Sequence, residues 1–229
     1  MPNWCDNSVT LYHEDKSKID ALAEEMEKKN ATNQSMACPF QHLHPRPEDQ
    51  EENWYDWNVN NWGTKWEASI IDWSRDDDNT ITIYFESAWS PPIALYDYLT
   101  DNDWDVNALY HEPGMGYAGM YNNGSDEYYE YNPADKDSID SLPSDVIDFA
   151  GLENAHNEYV TNLLEEEWGD AERTEWIEAK TSPILEGWYE VSTTSWEFPH
   201  FMQFVNGEWD CYDPTCVKQW RGLANNPNV

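Results

Sequence analysis

Basic side chains are scarce in this sequence: 12 Lys and Arg stand against 46 Asp and Glu, a formal net charge of −34 over 229 residues. Binding to a phosphate backbone needs clustered cations, so a direct nucleic-acid role is not expected. Anionic membrane surfaces repel such a chain too. Long apolar runs are also missing, and no stretch reaches the roughly 18 apolar residues that span a bilayer. The start, "MPNWCDNSVT", has neither a basic nor an apolar segment, so no signal peptide is expected. Cysteine is limited to Cys5, Cys38, Cys211 and Cys216, too few and too scattered for a disulfide framework in a chain of this length. A reducing cytoplasm is therefore the expected location.

Recognised catalytic patterns are absent as well. There is no G-x-S-x-G, no Gly-rich phosphate loop and no H-E-x-x-H. Carboxylate pairs carry no information in so acidic a chain. Cys38, His42 and His44, with Cys5 or with Cys211 and Cys216, form the best zinc set, but their spacing is not a recognised one. The expectation is a non-catalytic protein without metal or cofactor.

Aromatic side chains, by contrast, are abundant: 14 Trp and 14 Tyr. They supply a core and exclude a disordered acidic tail, which would be poor in them. The charge draws basic partners and speeds their encounter at low salt. Its readings are nucleic-acid mimicry, with carboxylates in place of phosphates, or a merely solvated acidic protein, or adaptation to high salt.

Hydrophobic periodicity lays out the chain. "NSVTLYH" alternates as a strand, and "SKIDALAEEMEKKN" places Ile19, Leu22, Ala23 and Met26 at helical spacing, with Ser17 as its expected cap. A Pro-marked loop follows through residue 53. "EASIIDWSRDDDNTITIYFESAW" reads as a hairpin, and "SPPIALYDYL" as a helix capped by Ser90, whose N-terminus can face an anion beside Trp89. "DVNALYHEPG" is a strand, and "GYAGMYNNGSDEYYEYN" a further hairpin across Asn-Asn-Gly. The order βαββαβ plus a hairpin predicts an α+β, ferredoxin-like antiparallel sheet over residues 1–135. Residues 136–229 predict a helical and small β region, either separate or packed on the first. Its expected elements are a helix from Leu152 ended by Gly169, a second helix over "DAERTEWIEAK", strands with a hairpin at Asn206-Gly207, and a last helical turn over "PTCVKQW".

The densest motif is "NWYDWNVNNWGTKWE", residues 53–67. Trp54, Trp57, Trp62 and Trp66 follow neither one helical face nor strict alternation, and Asn60, Asn61, Gly63 and Thr64 read as turn residues. A structured loop entering the second strand at Lys65 is expected. Lys65 is the only cation between Arg46 and Arg75. With Trp54, Tyr55, Trp57, Trp62, Trp66 and Trp89 near it, Lys65 makes a cation–π contact or holds an anionic ligand group; alternatively the indoles close one end of the core and Lys65 pairs with an acid such as Asp56. A second candidate surface is acidic: Leu152–Ala179 holds nine acids and one arginine, with Glu165, Glu166, Glu167, Asp170 and Glu172 next to the apolar stripe. His156 on that stripe reads as a core histidine.

"MPNWCDN", "LHPRP", "WYDWNVNNWGTKWE", "FESAWSPP" and "EPGMGYAG", in that order, resemble the YubB-type ferredoxin-like domain family of phages and plasmids over residues 1–131. The resemblance implies the ferredoxin-like fold and a mobile-element accessory protein, but no activity. Lysines outnumber arginines 8 to 4, which favours a phage protein over a halophile one. The leading expectation is a phage accessory protein that binds a host protein with a basic surface in the host cytoplasm. A nucleotide- or small-ligand-sequestering protein and a virion or assembly component are the alternatives.

Overall fold

Alternation in the first strand sets the frame. In β1 (Trp4–His13), Cys5, Asn7, Val9, Leu11 and His13 are buried and the residues between them are not, the period-two signature of a half-buried strand. The computed structural model describes residues 3–29, 35–168, 173–184, 186–194, 199–210 and 214–222. The chain divides into two compact units, residues 1–132 with 137–151, and residues 133–136 with 152–229.

In the first unit β1 is followed by α1 (Lys16–Met26), which buries Ile19, Leu22 and Met26. Its cap is Asp15 rather than Ser17: Asp15 has the extended backbone an N-cap needs, and its carboxylate accepts the Ser17 N–H at 2.9 Å. The expected Pro-marked loop contains α2 (Pro39–Leu43) and a 3₁₀ turn, Glu48–Asn53. Then come α3 (Trp54–Asn61), β2 (Ser69–Arg75), β3 (Thr80–Ala88), α4 (Ile93–Thr100), β4 (Trp104–Glu112), β5 (Tyr117–Asn122) and β6 (Ser125–Glu130). The sheet order is β2-β3-β1-β4-β5-β6, antiparallel throughout. Its first four strands with α1 and α4 make the ferredoxin-like βαββαβ arrangement, and β5–β6 is the extra hairpin, turning at Asn123-Gly124. Val9, Leu11, Ile83, Phe85, Val106 and Ala108 from the sheet pack with Ile19, Leu22, Leu95 and Leu99 from α1 and α4. Each fully buried aliphatic side chain contributes about 1.5–3 kcal/mol.

The Trp-rich stretch is a helix, not a loop entering a strand at Lys65; β2 begins at Ser69. Asn58 explains the difference. It is 3% exposed, its Nδ2 donates to the Lys65 carbonyl at 2.9 Å, and its Oδ1 accepts from Arg46 at 2.9 Å. Asn58 is thus tied down from outside the helix, and Asn60 and Asn61, which read as turn residues, form its last turn. The helix stops at Gly63, whose φ of +86° few other residues adopt.

The helix at α4 likewise departs from expectation. Its cap is Pro92, and Ser90 instead donates from Oγ to the Gly63 carbonyl at 2.8 Å. α5 (Lys136–Asp140) and α6 (Ser144–Ala150) follow, burying Ile139 and Val146; sequence periodicity did not reveal elements this short.

The second unit carries α7 (Leu152–Trp168), with His156 buried and its Nδ1 2.6 Å from the Pro133 carbonyl oxygen. Gly169 lies outside the described residues. The expected helix over "DAERTEWIEAK" is replaced at its end by β7 (Ile177–Glu178), and the expected last helical turn by β11 (Val217–Arg221). Between them in sequence run β8 (Gly187–Thr193), β9 (His200–Val205) and β10 (Glu208–Trp209), giving a sheet of order β10-β9-β8-β11-β7. β11 is an interior strand, paired with both β7 and β8, and Val217 and Trp220 are core residues. Backbone pairing on two sides outweighs a weak local helical pattern. Asn206-Gly207 makes the expected hairpin turn.

Candidate functional site

Three hydrogen bonds, the first of them buried, bring distant aromatic residues together at one end of the first sheet. Thr64 Oγ1 donates to the Ala88 carbonyl at 2.8 Å, Ser90 Oγ donates to the Gly63 carbonyl, and Asn58 Nδ2 donates to the Lys65 carbonyl. The first two join the segment after α3 to the end of β3. The third ties that segment back to α3. The register of β1 on β3 sets Trp4 opposite Ala88.

Trp89 sits at the hub of this arrangement. Its φ is +71°, a left-handed conformation that costs a bulky residue roughly 1–2 kcal/mol. The backbone is held on both sides: its N–H donates to the Asn3 carbonyl at 2.9 Å, and its own carbonyl accepts from Tyr117 Oη at 2.8 Å. The strain turns the indole outward, 44% exposed.

The outcome is an aromatic cage around Lys65. Its ammonium lies 4.6 Å from the Trp66 ring centre, 5.0 Å from Trp89 and 5.7 Å from Tyr55. Trp4 extends the cluster from Trp66 at 6.1 Å, and Trp54 from Tyr55 at 5.9 Å. All five aromatic residues are 36–42% exposed or, for Trp89, slightly more. Among the described residues no carboxylate lies within ion-pair distance of Lys65, so the pairing with Asp56 is replaced by ring contacts. Cation–π contacts of this kind contribute about 0.5–1 kcal/mol when exposed and more when desolvated.

The other residues of the motif divide by burial. Trp62 is 2% exposed, stacks edge-on to Phe40 at 5.7 Å and donates from Nε1 to the His44 carbonyl. Trp57 packs on the same core and on His44, which in turn stacks flat on Tyr98 at 3.6 Å. Burial holds His44 below the ordinary histidine range. Asn61 donates to the Trp57 carbonyl; Asp56 and Asn60 are exposed on α3. Trp57 and Trp62 are thus core, and Trp54, Tyr55 and Trp66 are surface. Trp4 was missed by sequence reading, although its place at the start of an alternating strand, out of phase with the buried positions, signals a surface residue.

Beside the cage, Glu67 accepts the N–H groups of Phe40, Gln41 and Ala68 at 2.8–3.1 Å. Burial nevertheless raises its carboxyl above the ordinary value of 4.5. This carboxylate anchors α2 rather than facing a ligand. The N-terminus of α4 is not open to an anion either: Leu95 N–H bonds the Trp62 carbonyl, and a Cβ on Gly63 would lie 3.0 Å from the Ile93 and Ala94 nitrogens.

Residues 65–161 match the family model of the ferredoxin-like domain in Api92-like protein. The match starts at Lys65 and runs through β2–β6 into α7, so Lys65, two of the three rings around it (Trp66 and Trp89) and Tyr117 lie within it. It carries the Api92-like name, not the YubB-type name of the resemblance. A solved structure described as protein api92 from Yersinia pseudotuberculosis is similar at 13% identity, over 58% of this chain and 99% of that one, with a TM-score of 0.35. No curated protein matches the chain.

On the acidic segment, Glu165 and Glu166 are exposed near the end of α7. The side chain of Glu167, and all of Asp170 and Glu172, lie outside the described residues. Among the described residues no three His, Cys, Asp or Glu side chains group closely enough to hold a metal ion, and Cys211 lies outside that set. No described helix is long and apolar enough to cross a membrane. Burial and nearby Glu67 and Glu25 push the Cys38 thiol up, away from the thiolate form a nucleophile needs.

Proposed function

We propose that this chain is a non-catalytic accessory protein of a phage or plasmid, of the YubB-type resemblance, that binds a basic host protein in the host cytoplasm. The observation that carries the reading is the exposed cluster of Trp4, Trp54, Tyr55, Trp66 and Trp89 on a chain of net charge −34. Exposed aromatic rings supply the anchors of a protein interface, and the negative field steers a cationic partner onto them. Carboxylates here stand in for the phosphates such a partner otherwise meets. The exposed acids Glu165 and Glu166 extend the negative surface on the second unit.

The test compares immobilised wild-type chain with Trp66→Ala against host lysate in a salt series. A basic protein retained by wild type, released as salt rises and lost with Trp66→Ala, supports the reading. Absence of any specific partner at low salt overturns it.

One observation favours a second reading. Lys65 has rings on several sides and, among the described residues, no carboxylate partner, which suits a nucleobase stacked on indole with its phosphate on the ammonium. A thermal-shift screen of nucleotides decides it, because a ligand of the native state raises the midpoint by mass action.

A further inference from the structure

Lys65 is in an unusual position for a lysine in so acidic a region. From residue 47 to residue 74 it is the only cation, against Glu48, Asp49, Glu51, Glu52, Asp56, Glu67 and Asp72. Five of these, Glu48 to Asp56, are exposed on the 3₁₀ turn and the first turns of α3, the stretch that also carries Tyr55. Yet its ammonium stays over Tyr55, Trp66 and Trp89. The backbone segments that carry Trp66 and Trp89 are held by the Thr64–Ala88 and Asn58–Lys65 bonds and by the pinned backbone of Trp89, none of which uses the Lys65 side chain. The backbone frame of the cage therefore does not depend on the Lys65 ammonium.

The geometry points to a receptor for a cationic side chain, held closed by the protein's own Lys65. The occupant is a lysine or arginine of a basic protein segment, which takes the place of the Lys65 ammonium over the same rings. The inference rests on reading this surface as the site for a basic protein. Charge complementarity selects that occupant: the five exposed carboxylates receive the neighbouring cations of the segment, while the rings take one of them. Because Lys65 is tethered, it competes at high effective concentration, and the apparent affinity falls by the fraction of cages left open. An exposed ring contact of about 0.5–1 kcal/mol sets that penalty at about three- to sixfold.

The test is a calorimetric titration of oligolysine at constant ionic strength into wild type, Lys65→Gln, the double variant Lys65→Gln/Trp66→Ala, and Lys218→Gln. The last makes the same charge change at an exposed lysine of the second unit. The expected result is about three- to sixfold tighter binding by Lys65→Gln than by wild type or Lys218→Gln. The gain disappears in the double variant, and indole Nε1–H resonances shift on binding. Equal gains in Lys65→Gln and Lys218→Gln reduce the effect to net charge and overturn the inference. Weaker binding by Lys65→Gln overturns it too, and loss of nucleotide binding by the same variant assigns the cage to an anion. If none of the four proteins binds oligolysine, the basic-partner reading itself fails, an outcome distinct from binding that ignores Lys65.

Discussion

Thr64 donates its hydroxyl to the carbonyl of Ala88 at 2.8 Å, a buried bond between the segment that bears Lys65 and the strand end that bears Trp89. Thr64 is 2% exposed, and its replacement by valine keeps the shape while removing the donor. Thr64→Val is expected to cost about 1–3 kcal/mol in urea unfolding. It also loosens Trp89 against Lys65, read as a red shift of tryptophan emission. Unchanged stability and emission would show that the bond does not hold the cage.

Glu67 makes stability depend on pH in a defined direction. Burial raises its folded-state carboxyl above 4.5, so the native state binds more protons than the unfolded one in the window just above that value. Its contribution to stability falls as pH rises through the window. Glu67→Gln removes this component. The stability difference between wild type and variant is therefore expected to shift against wild type as pH rises, in denaturant titrations across the window. A pH-independent difference contradicts the assignment.

Gly119 has no room for a methyl group. A Cβ there would lie 2.3 Å from the Tyr110 ring and 2.4 Å from the Glu127 carbonyl oxygen on the neighbouring strand. Gly119→Ala is expected to destabilise the first unit by about 3 kcal/mol, because backbone as well as a side chain must move. Thermal unfolding measures it, and a loss well under 1 kcal/mol would refute the close approach.

Glu190 is the electrostatic centre of the second unit. Arg221 donates to its two oxygens at 2.8 and 3.0 Å across the β8–β11 pair, and Arg173 lies 3.3 Å from it. Glu190→Gln weakens a two-pronged charged contact and is expected to cost about 2 kcal/mol. Amide exchange in β8 and β11 should rise together, while that in β1 stays unchanged.

Much of the fold was legible in the sequence for a physical reason. Val9 and Leu11 in β1, Ile81, Ile83 and Phe85 in β3, and Ile19, Leu22 and Met26 in α1 each repeat at the period of their element, because one face of each meets the core. The turns at Asn123-Gly124 and Asn206-Gly207 were legible because few residue pairs take those angles. The failures share a cause. Val217–Arg221 was expected to be helical and became a strand because partners distant in sequence, β7 and β8, pair with it. Residues 54–61 were expected to form a loop and became a helix because Asn58 is held by Arg46 and by the Lys65 carbonyl.

The candidate site divides the same way. The sequence by itself determined the charge, the scarcity of basic residues, the order of strands and helices in the βαββαβ sheet, and the isolation of Lys65 among acids. Those follow from side-chain chemistry and local periodicity. Only the tertiary structure decided that Trp57 and Trp62 go inward while Trp66 and Trp89 stay outward. It also brought Trp4, Tyr55, Trp66 and Trp89 to one end of the sheet. That outcome depends on strand register, on hydroxyl-to-carbonyl bonds and on a left-handed residue pinned from both sides. None of these leaves a periodic trace in the chain.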